Sequence, residues 1–227
     1  MLTLGIETSG KTASVALFED GMMLGQNSVY TAKTQSQVIL PMVKRLVSEC
    51  DREIEQIDRI AVGVGPGSYT GIRIGIAAVK AMCFAGDKPC CGVSTLEGLA
   101  YNYPADGIVC VVMKARQKLV YAAVFRFENG RAERVADDMI IDSAELDEQL
   151  KKYNEKIILT GDAAADFCEE FTGGMYTVAP AHLRNQNAAG ICMASFCNEY
   201  VSPEELEASY LQLVKAEKDL IEKENKK

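Results

Sequence analysis

An α/β fold is what this 227-residue sequence predicts, and three observations predict it. The chain opens with short apolar runs separated by turns, then alternates helical and strand periodicity, and is 48% hydrophobic and 25% charged, as a globular protein with a sizeable core is. Leu2 to Ile6 and Ala13 to Phe18 read as strands, and Glu19-Asp20-Gly21 turns the chain into a third, Met22 to Tyr30. A helix follows with Ser36 near its start, carrying Val38, Ile39, Met42, Val43, Leu46, Val47 and Cys50 at helical spacing. Pro41 places the regular part of that helix near itself, because a deeper proline loses a backbone hydrogen bond. Arg59 to Val64 is a buried strand, Thr70 to Ala85 a helix, Pro89 to Ser94 a strand, and Thr95 begins a short helix. This order predicts a mixed sheet with helices on its faces.

From about Asn102 a second unit begins. Ile108 to Met113, Leu119 to Phe127 and Glu133 to Ile141 are strands, with Asn129-Gly130 as a turn. Ser143 is placed as the cap of a helix running to Tyr153, Lys156 to Thr160 is a strand, and Asn187 to Tyr200 is helical. The expected division is a first lobe over 1–101, a smaller second lobe over 102–184, a segment over 185–214 returning to the first lobe, and a charged tail over 215–227.

Charge and cysteine usage narrow the function. A net charge of −8 with no basic stripe argues against direct, tight binding of nucleic acid, where phosphate contacts supply most of the affinity. The eight cysteines form no C-x-x-C pair, and most sit in apolar runs such as Ala81-Met82-Cys83-Phe84. Buried thiols of a reducing cytoplasm fit better than a zinc site or a redox motif. No basic-then-apolar leader and no apolar run of about 20 residues is present, so a cytoplasmic protein with no membrane partner is expected.

The most specific segment is Gly65-Pro66-Gly67-Ser68-Tyr69-Thr70-Gly71-Ile72-Arg73-Ile74-Gly75, which joins a buried strand to a helix. Ser68 or Thr70 can cap that helix, whose free N–H groups are suited to an anion. The segment is neither the P-loop nor the dinucleotide fingerprint, so by spacing alone a glycine turn before a core helix explains it as well. Gly71, Gly75, Ala78, Ala81 and Ala85 fall near one face, beside an apolar stripe of Ile72, Ile76, Val79 and Cys83.

The wording GPGSYTGIRIG resembles the hallmark of the TsaB (YeaZ-like) family, paralogous to TsaD and formerly grouped with it as glycoprotease-like proteins. Further pieces match in order: Leu4 to Ser9 resembles the opening strand and I-D-T-S turn, and Gln35 to Pro41 resembles the H-S-x-x-L-x-P helix start. Gly92 to Leu96 resembles G-V-S-[ST]-L, Ala115-Arg116 through Val120-Tyr121 resembles D-A-R-x-x-x-V-Y, and Tyr210 to Gln212 with Ala216-Glu217 resembles a Y-L-R segment followed by A-E. The match is strong over 1–100 and patchy beyond.

The resemblance implies a two-lobed fold of the actin, Hsp70 and sugar-kinase type, related to ribonuclease H. It also implies a role in placing threonylcarbamoyl on N6 of adenosine 37, in tRNAs that read codons beginning with A. The implied partners are a TsaD-like paralogue in a heterodimer and a TsaE-like ATPase in a larger complex, with a homodimer when alone and tRNA met only indirectly. It carries a possible nucleotide or phosphate contact onto Glu7, Thr8, Ser9, Gly65, Gly67, Ser68 and Thr70. Interface candidates on the two first-lobe helices are Val38, Met42, Val43, Leu46, Ile72, Ile74, Gly75, Ala78, Val79 and Met82.

Catalysis is not expected of this chain, nor any cofactor or metal. The metal site of TsaD uses an H-x-x-x-H pair, and this sequence has a single histidine, His182, read as a surface loop residue. Kinases of the fold need carboxylates from both lobes, but the first-strand acid is Glu7 rather than aspartate, and Lys114-Ala115-Arg116 stands where relatives read D-A-R. Asp162 is a weak substitute, better read as a helix cap. A serine or cysteine protease would lack a base placed beside a nucleophile. The alternative reading is a small-molecule kinase of the same fold, with turnover lost on Glu7→Ala; a third is a homodimeric binding protein outside tRNA modification.

Overall fold

The computed structural model describes residues 1–211 and consists of two sheets of identical strand order, with helices outside and between them. In the first sheet, β1 (Leu2–Glu7), β2 (Thr12–Glu19) and β3 (Met22–Tyr30) form the expected antiparallel meander. β4 (Arg59–Gly65) then pairs parallel to β1, and β5 (Cys90–Ser94) parallel to β4, giving the order β3-β2-β1-β4-β5. The second sheet repeats this plan. β6 (Gly107–Lys114), β7 (Leu119–Glu128) and β8 (Arg131–Asp142) are antiparallel, and β9 (Ile157–Thr160) and β10 (Tyr176–Val178) add in parallel, giving β10-β9-β6-β7-β8.

Parallel neighbours require crossovers, and helices supply them. α1 (Gln35–Glu49) and α2 (Tyr69–Gly86) pack side by side on the outer face of the first sheet, burying Ile39, Met42, Val43, Leu46, Val47 and Val79 against Leu4, Ile6, Val15 and Val62. α4 (Ser143–Leu150) and α5 (Ala164–Glu170) do the same for the second sheet, through Leu146, Leu150 and Phe167 on Ile108, Cys110 and Val112. Between the sheets lie α3 (Thr95–Tyr101) and α6 (Ala188–Ser195), in one core with Ala61, Cys91 and Val93 of the first sheet and Val109, Val111 and Phe125 of the second. α6 crosses β1 and β2, so a side chain at Gly5 would run into Ala188 and Cys192.

Local chemistry moved several boundaries. α1 begins at Gln35, not near Pro41: the Thr34 N–H donates to Gln37 Oε1 at 3.2 Å and the Gln37 N–H to the Thr34 carbonyl at 3.0 Å, which fixes the first turn, and Pro41 is accommodated inside. Asp142, not Ser143, caps α4, its carboxylate accepting from the Ala144 N–H at 2.9 Å. The helix ends at Leu150, followed by a 3-10 turn, Lys151–Tyr153. α6 is shorter than Asn187 to Tyr200, stopping at Ser195; Asn187 caps it through the Gly190 N–H. α5, β10 and the 3-10 turns Ile54–Gln56 and Ala181–Leu183 were not expected. Of the cysteines, Cys83, Cys90, Cys91, Cys110 and Cys192 are buried, but Cys50 and Cys168 are half-buried and Cys197 is exposed. The end of the expected 185–214 segment, the Gln212 and Ala216-Glu217 matches and the charged tail lie outside the described residues.

Candidate functional site

At the carboxyl ends of the central strands, the β1–β2 turn faces the β6–β7 turn across a cleft of about 560 Å³. Its first-lobe wall is Ser9, Gly10, Lys11 and Thr12 with Gly67 and Ser68 from the start of α2; its second-lobe wall is Met113 to Arg116 with Tyr121 and Asp162. Tyr30, Asn185 and Gln186 close the sides.

Of the residues expected to contact a nucleotide or phosphate, Ser9, Gly67 and Ser68 line this cleft. Ser68 caps α2, its hydroxyl accepting from the Gly71 N–H at 3.2 Å. Its own N–H donates to the Ser9 carbonyl at 2.7 Å, tying the helix start to the β1–β2 turn. Ser9 Oγ in turn accepts from Thr95 Oγ1 at 3.1 Å.

Glu7, Thr8, Gly65 and Thr70 are elsewhere. Glu7 is fully buried at the end of β1 and turned toward Gly63 of β4, away from the cleft; Oε1 accepts from the Ser9 N–H at 2.5 Å, while Oε2 has no partner. Burial raises its pKa, and the hydrogen bonds from Ser9 and Thr8 only partly oppose this. Thr8 is spent on packing: Oγ1 donates to the Gly71 carbonyl at 2.8 Å, and Gly71 lies so close to the Thr8 backbone that no Cβ fits there. Gly65, at φ +117° and preceding a cis peptide to Pro66, lies under the Ser209 carbonyl, and Thr70 faces solvent on α2.

The second-lobe calculus of charge also differs from expectation. Asp162 does not cap α5, whose cap position is Ala163 with no side-chain bond; instead Oδ1 accepts from the Lys114 N–H at 2.8 Å and fixes the end of β6. The Lys114 ammonium pairs with Asp166 at 2.7 Å, and that bond raises its pKa. His182 is exposed in the 3-10 turn Ala181–Leu183. Among the described residues no group of three or more His, Cys, Asp and Glu side chains is placed to hold a metal ion. Glu7 is buried, and Lys114 lies on the second-lobe wall of the cleft. No described helix is long and apolar enough to cross a membrane.

The interface candidates divide by burial. Met42, Val43, Leu46, Ile72, Gly75 and Val79 are buried on the inner sides of α1 and α2; Val38, Ile74, Ala78 and Met82 are half-buried. The small-residue face of α2 is likewise split. Gly71 and Gly75 meet Thr8 inside, whereas Ala81 and Ala85 face outward. The exposed apolar groups that helical periodicity did not single out are Leu40 (50% exposed), Ala77 and Phe84 (55% exposed). The cleft residues Lys11, Arg116 and Gln186 were also missed as site residues; the charged pair in the turns was legible as sequence, but its convergence was not.

Comparison with known proteins adds the family. Residues 29–217 match the model of TsaD, tRNA N6-adenosine threonylcarbamoyltransferase. The chain is 30% identical over 226 residues to the tRNA threonylcarbamoyladenosine biosynthesis protein TsaB of Bacillus subtilis, covering 98% of this chain and 99% of that protein. In fold it is similar to YeaZ from Pseudomonas aeruginosa, with TM-score 0.75 and 24% identity over 92% of this chain and 99% of the other. A more distant likeness, TM-score 0.53 at 11% identity over 87% of this chain and 98% of the other, is to the ROK hexokinase from Thermus thermophilus, which supports the actin and sugar-kinase type of fold.

Proposed function

This chain belongs to the TsaB family of tRNA threonylcarbamoyladenosine biosynthesis proteins, within the wider TsaD group, and from that membership we propose that it is a cytoplasmic, non-catalytic scaffold subunit that supports a TsaD-like paralogue. Its place is in the biosynthesis of threonylcarbamoyladenosine in tRNA. The kinase alternative is disfavoured, because the one first-strand acid is sealed into the core and the facing residue is a lysine.

The observation that carries the scaffold reading is the outer face of α2. From Ile74 to Gly86 the helix has a single charged residue, Lys80, and presents Ala77, Ala81, Phe84 and Ala85 to solvent; α1 likewise exposes Leu40. Small side chains allow a second helix to approach closely, and an exposed Phe can fill a pocket on a partner. In this reading the first lobe, residues 1–101, docks on the paralogue, and the same face forms a homodimer when the chain is alone. A TsaE-like ATPase joins the assembled pair, and tRNA is held by the paralogue, consistent with the net charge of −8.

Light scattering after size exclusion tests it, with the chain alone and mixed with the TsaD-like protein of its host. A homodimer that converts to a one-to-one heterodimer is expected. No complex, with or without nucleotide, would remove the scaffold role.

A further inference from the structure

We propose that Arg134 is a clasp between the lobes: by binding Glu97 and Asp138 at once it locks the two sheets at a single opening, so that the chain behaves as one rigid body. This goes beyond the scaffold reading and does not depend on it. A two-lobed protein that closes over a ligand needs lobes free to turn about the segments joining them. Here those segments are braced. The chain crosses to the second lobe after α3 and returns ahead of α6. Asn102, at the first crossing, donates through Nδ2 to the carbonyls of Leu183 at 3.2 Å and Asn185 at 2.9 Å, at the second.

The clasp lies where β8, the edge strand of the second sheet, meets α3. Glu97 is in the first turn of α3, and Ser94, at the carboxyl end of β5, caps that helix through the N–H groups of Leu96 and Glu97. From the second lobe, Arg134 Nη2 donates to Glu97 Oε2 at 3.1 Å and Nη1 to Asp138 Oδ1 at 2.5 Å. Asp138 reaches back across the gap, its Oδ2 accepting from Ser94 Oγ at 2.5 Å. Beside this network the Ala132 N–H donates to Tyr101 Oη at 3.2 Å, again from β8 to α3.

β8 is shaped for this contact. Arg134 opposes Phe125 and Met139 opposes Ala122, so five steps of β8 run beside three of β7. The two extra residues are bulges, which re-aim side chains in ways a regular strand does not. In a regular strand Arg134 and Asp138, four residues apart, would stand about 13 Å from each other rather than in contact. The Arg134 guanidinium also lies over the Phe125 ring, 4.7 Å from its centroid, and Phe125 belongs to the core shared by both sheets. Side-chain exposures of 17% for Glu97 and 15% for Asp138 leave both carboxylates largely withdrawn from solvent, where salt screens an ion pair less. Only the planar fork of arginine presents separate donors to two carboxylates; a lysine ammonium is a single point of charge.

Residual dipolar couplings of strand amides in the full chain, with hydrogen exchange beside them, test the clasp. In the parent, the amides of both sheets should fit one alignment tensor. In Arg134→Ala the two lobes should need separate tensors, and the amides of α3 and of Arg131 to Asp138 should exchange on the order of tenfold faster, with those of β1 and β4 unchanged. Arg134→Lys, which keeps the charge and most of the bulk, should behave like the alanine variant. Arg126→Ala, which breaks the Arg126–Glu155 pair inside the second lobe, should keep the single tensor and the parent rates in α3. A parent that already needs two tensors would overturn the proposal. So would a single tensor in the Arg134 variants, or exchange that matches the parent or rises equally in every element.

Discussion

The two lobes share one strand order but dress it differently. On the first sheet the outer helices are 15 and 18 residues long; on the second, α4 and α5 are 8 and 7. The short pair shows solvent an acidic surface, Glu145, Glu148, Asp166, Glu169 and Glu170, whereas α2 shows alanines and a phenylalanine. Covering a five-stranded sheet therefore does not require helices as long as α1 and α2. In the scaffold role we propose, their extra length and apolar exterior serve as a surface for another protein, and the acidic helices are a finished exterior.

Substitutions that fall on one lobe and spare the other test this difference. The largest effect is expected at Gly71, where a methyl would strike the Thr8 backbone: Gly71→Ala should lower stability by about 3 kcal/mol, because overpacking against backbone cannot relax cheaply. Gly173→Ala, which meets nothing within 4 Å, should leave the urea midpoint near the parent value.

Next is the buried acid of the first lobe. Because burial raises the Glu7 pKa in the fold, the native state holds its proton more tightly than the unfolded chain, and stability falls as pH rises above the ordinary carboxylate range toward the folded value. Glu7→Gln retains an acceptor for the Ser9 N–H and cannot ionise. It should gain about 1–3 kcal/mol at pH 8, and the gain should shrink toward pH 4.5 in urea titrations; a gain independent of pH would refute the assignment of the charge.

On binding, Ala81→Arg should weaken association with the paralogue at least tenfold, about 1.4 kcal/mol, with thermal unfolding unchanged. Glu148→Arg on α4 should not alter it. Equal effects of the two would dissolve the contrast between the lobes. The smallest effect is expected at Asp162, where loss of the bond from the Lys114 N–H costs about 1 kcal/mol, read as a shifted urea midpoint for Asp162→Ala.

Strands and long helices were legible because periodicity and turn chemistry agree over β1 to α3. The second half was harder for identifiable reasons. α5 has no capping side chain and only 7 residues, and β10 has 3, too few to display a period. α6 is apolar on nearly every side because it lies between two sheets, so its end could not be read from a stripe. On α1, Ile39, Met42, Val43, Leu46 and Val47 are all buried, since α1 packs against α2 as well as the sheet, while Val38 and Cys50 are half-buried. The glycine segment was correctly placed at a strand-to-helix junction, but Thr8 and Glu7 point inward, and spacing carries no information about which way a strand end turns. Lys11, Arg116 and Gln186 are far apart in sequence, and only the pairing of the lobes brings them to one cleft.

The return of α6 to the first sheet has a consequence for synthesis. β1 leaves the ribosome before α6, but the face of the sheet around Gly5 is covered by Ala188 and Cys192, made more than 180 residues later. Until then the first lobe must carry an open apolar face while the second lobe, contiguous in the chain, is completed. The nascent first lobe is therefore in need of chaperone protection until α6 has been made and covers β1.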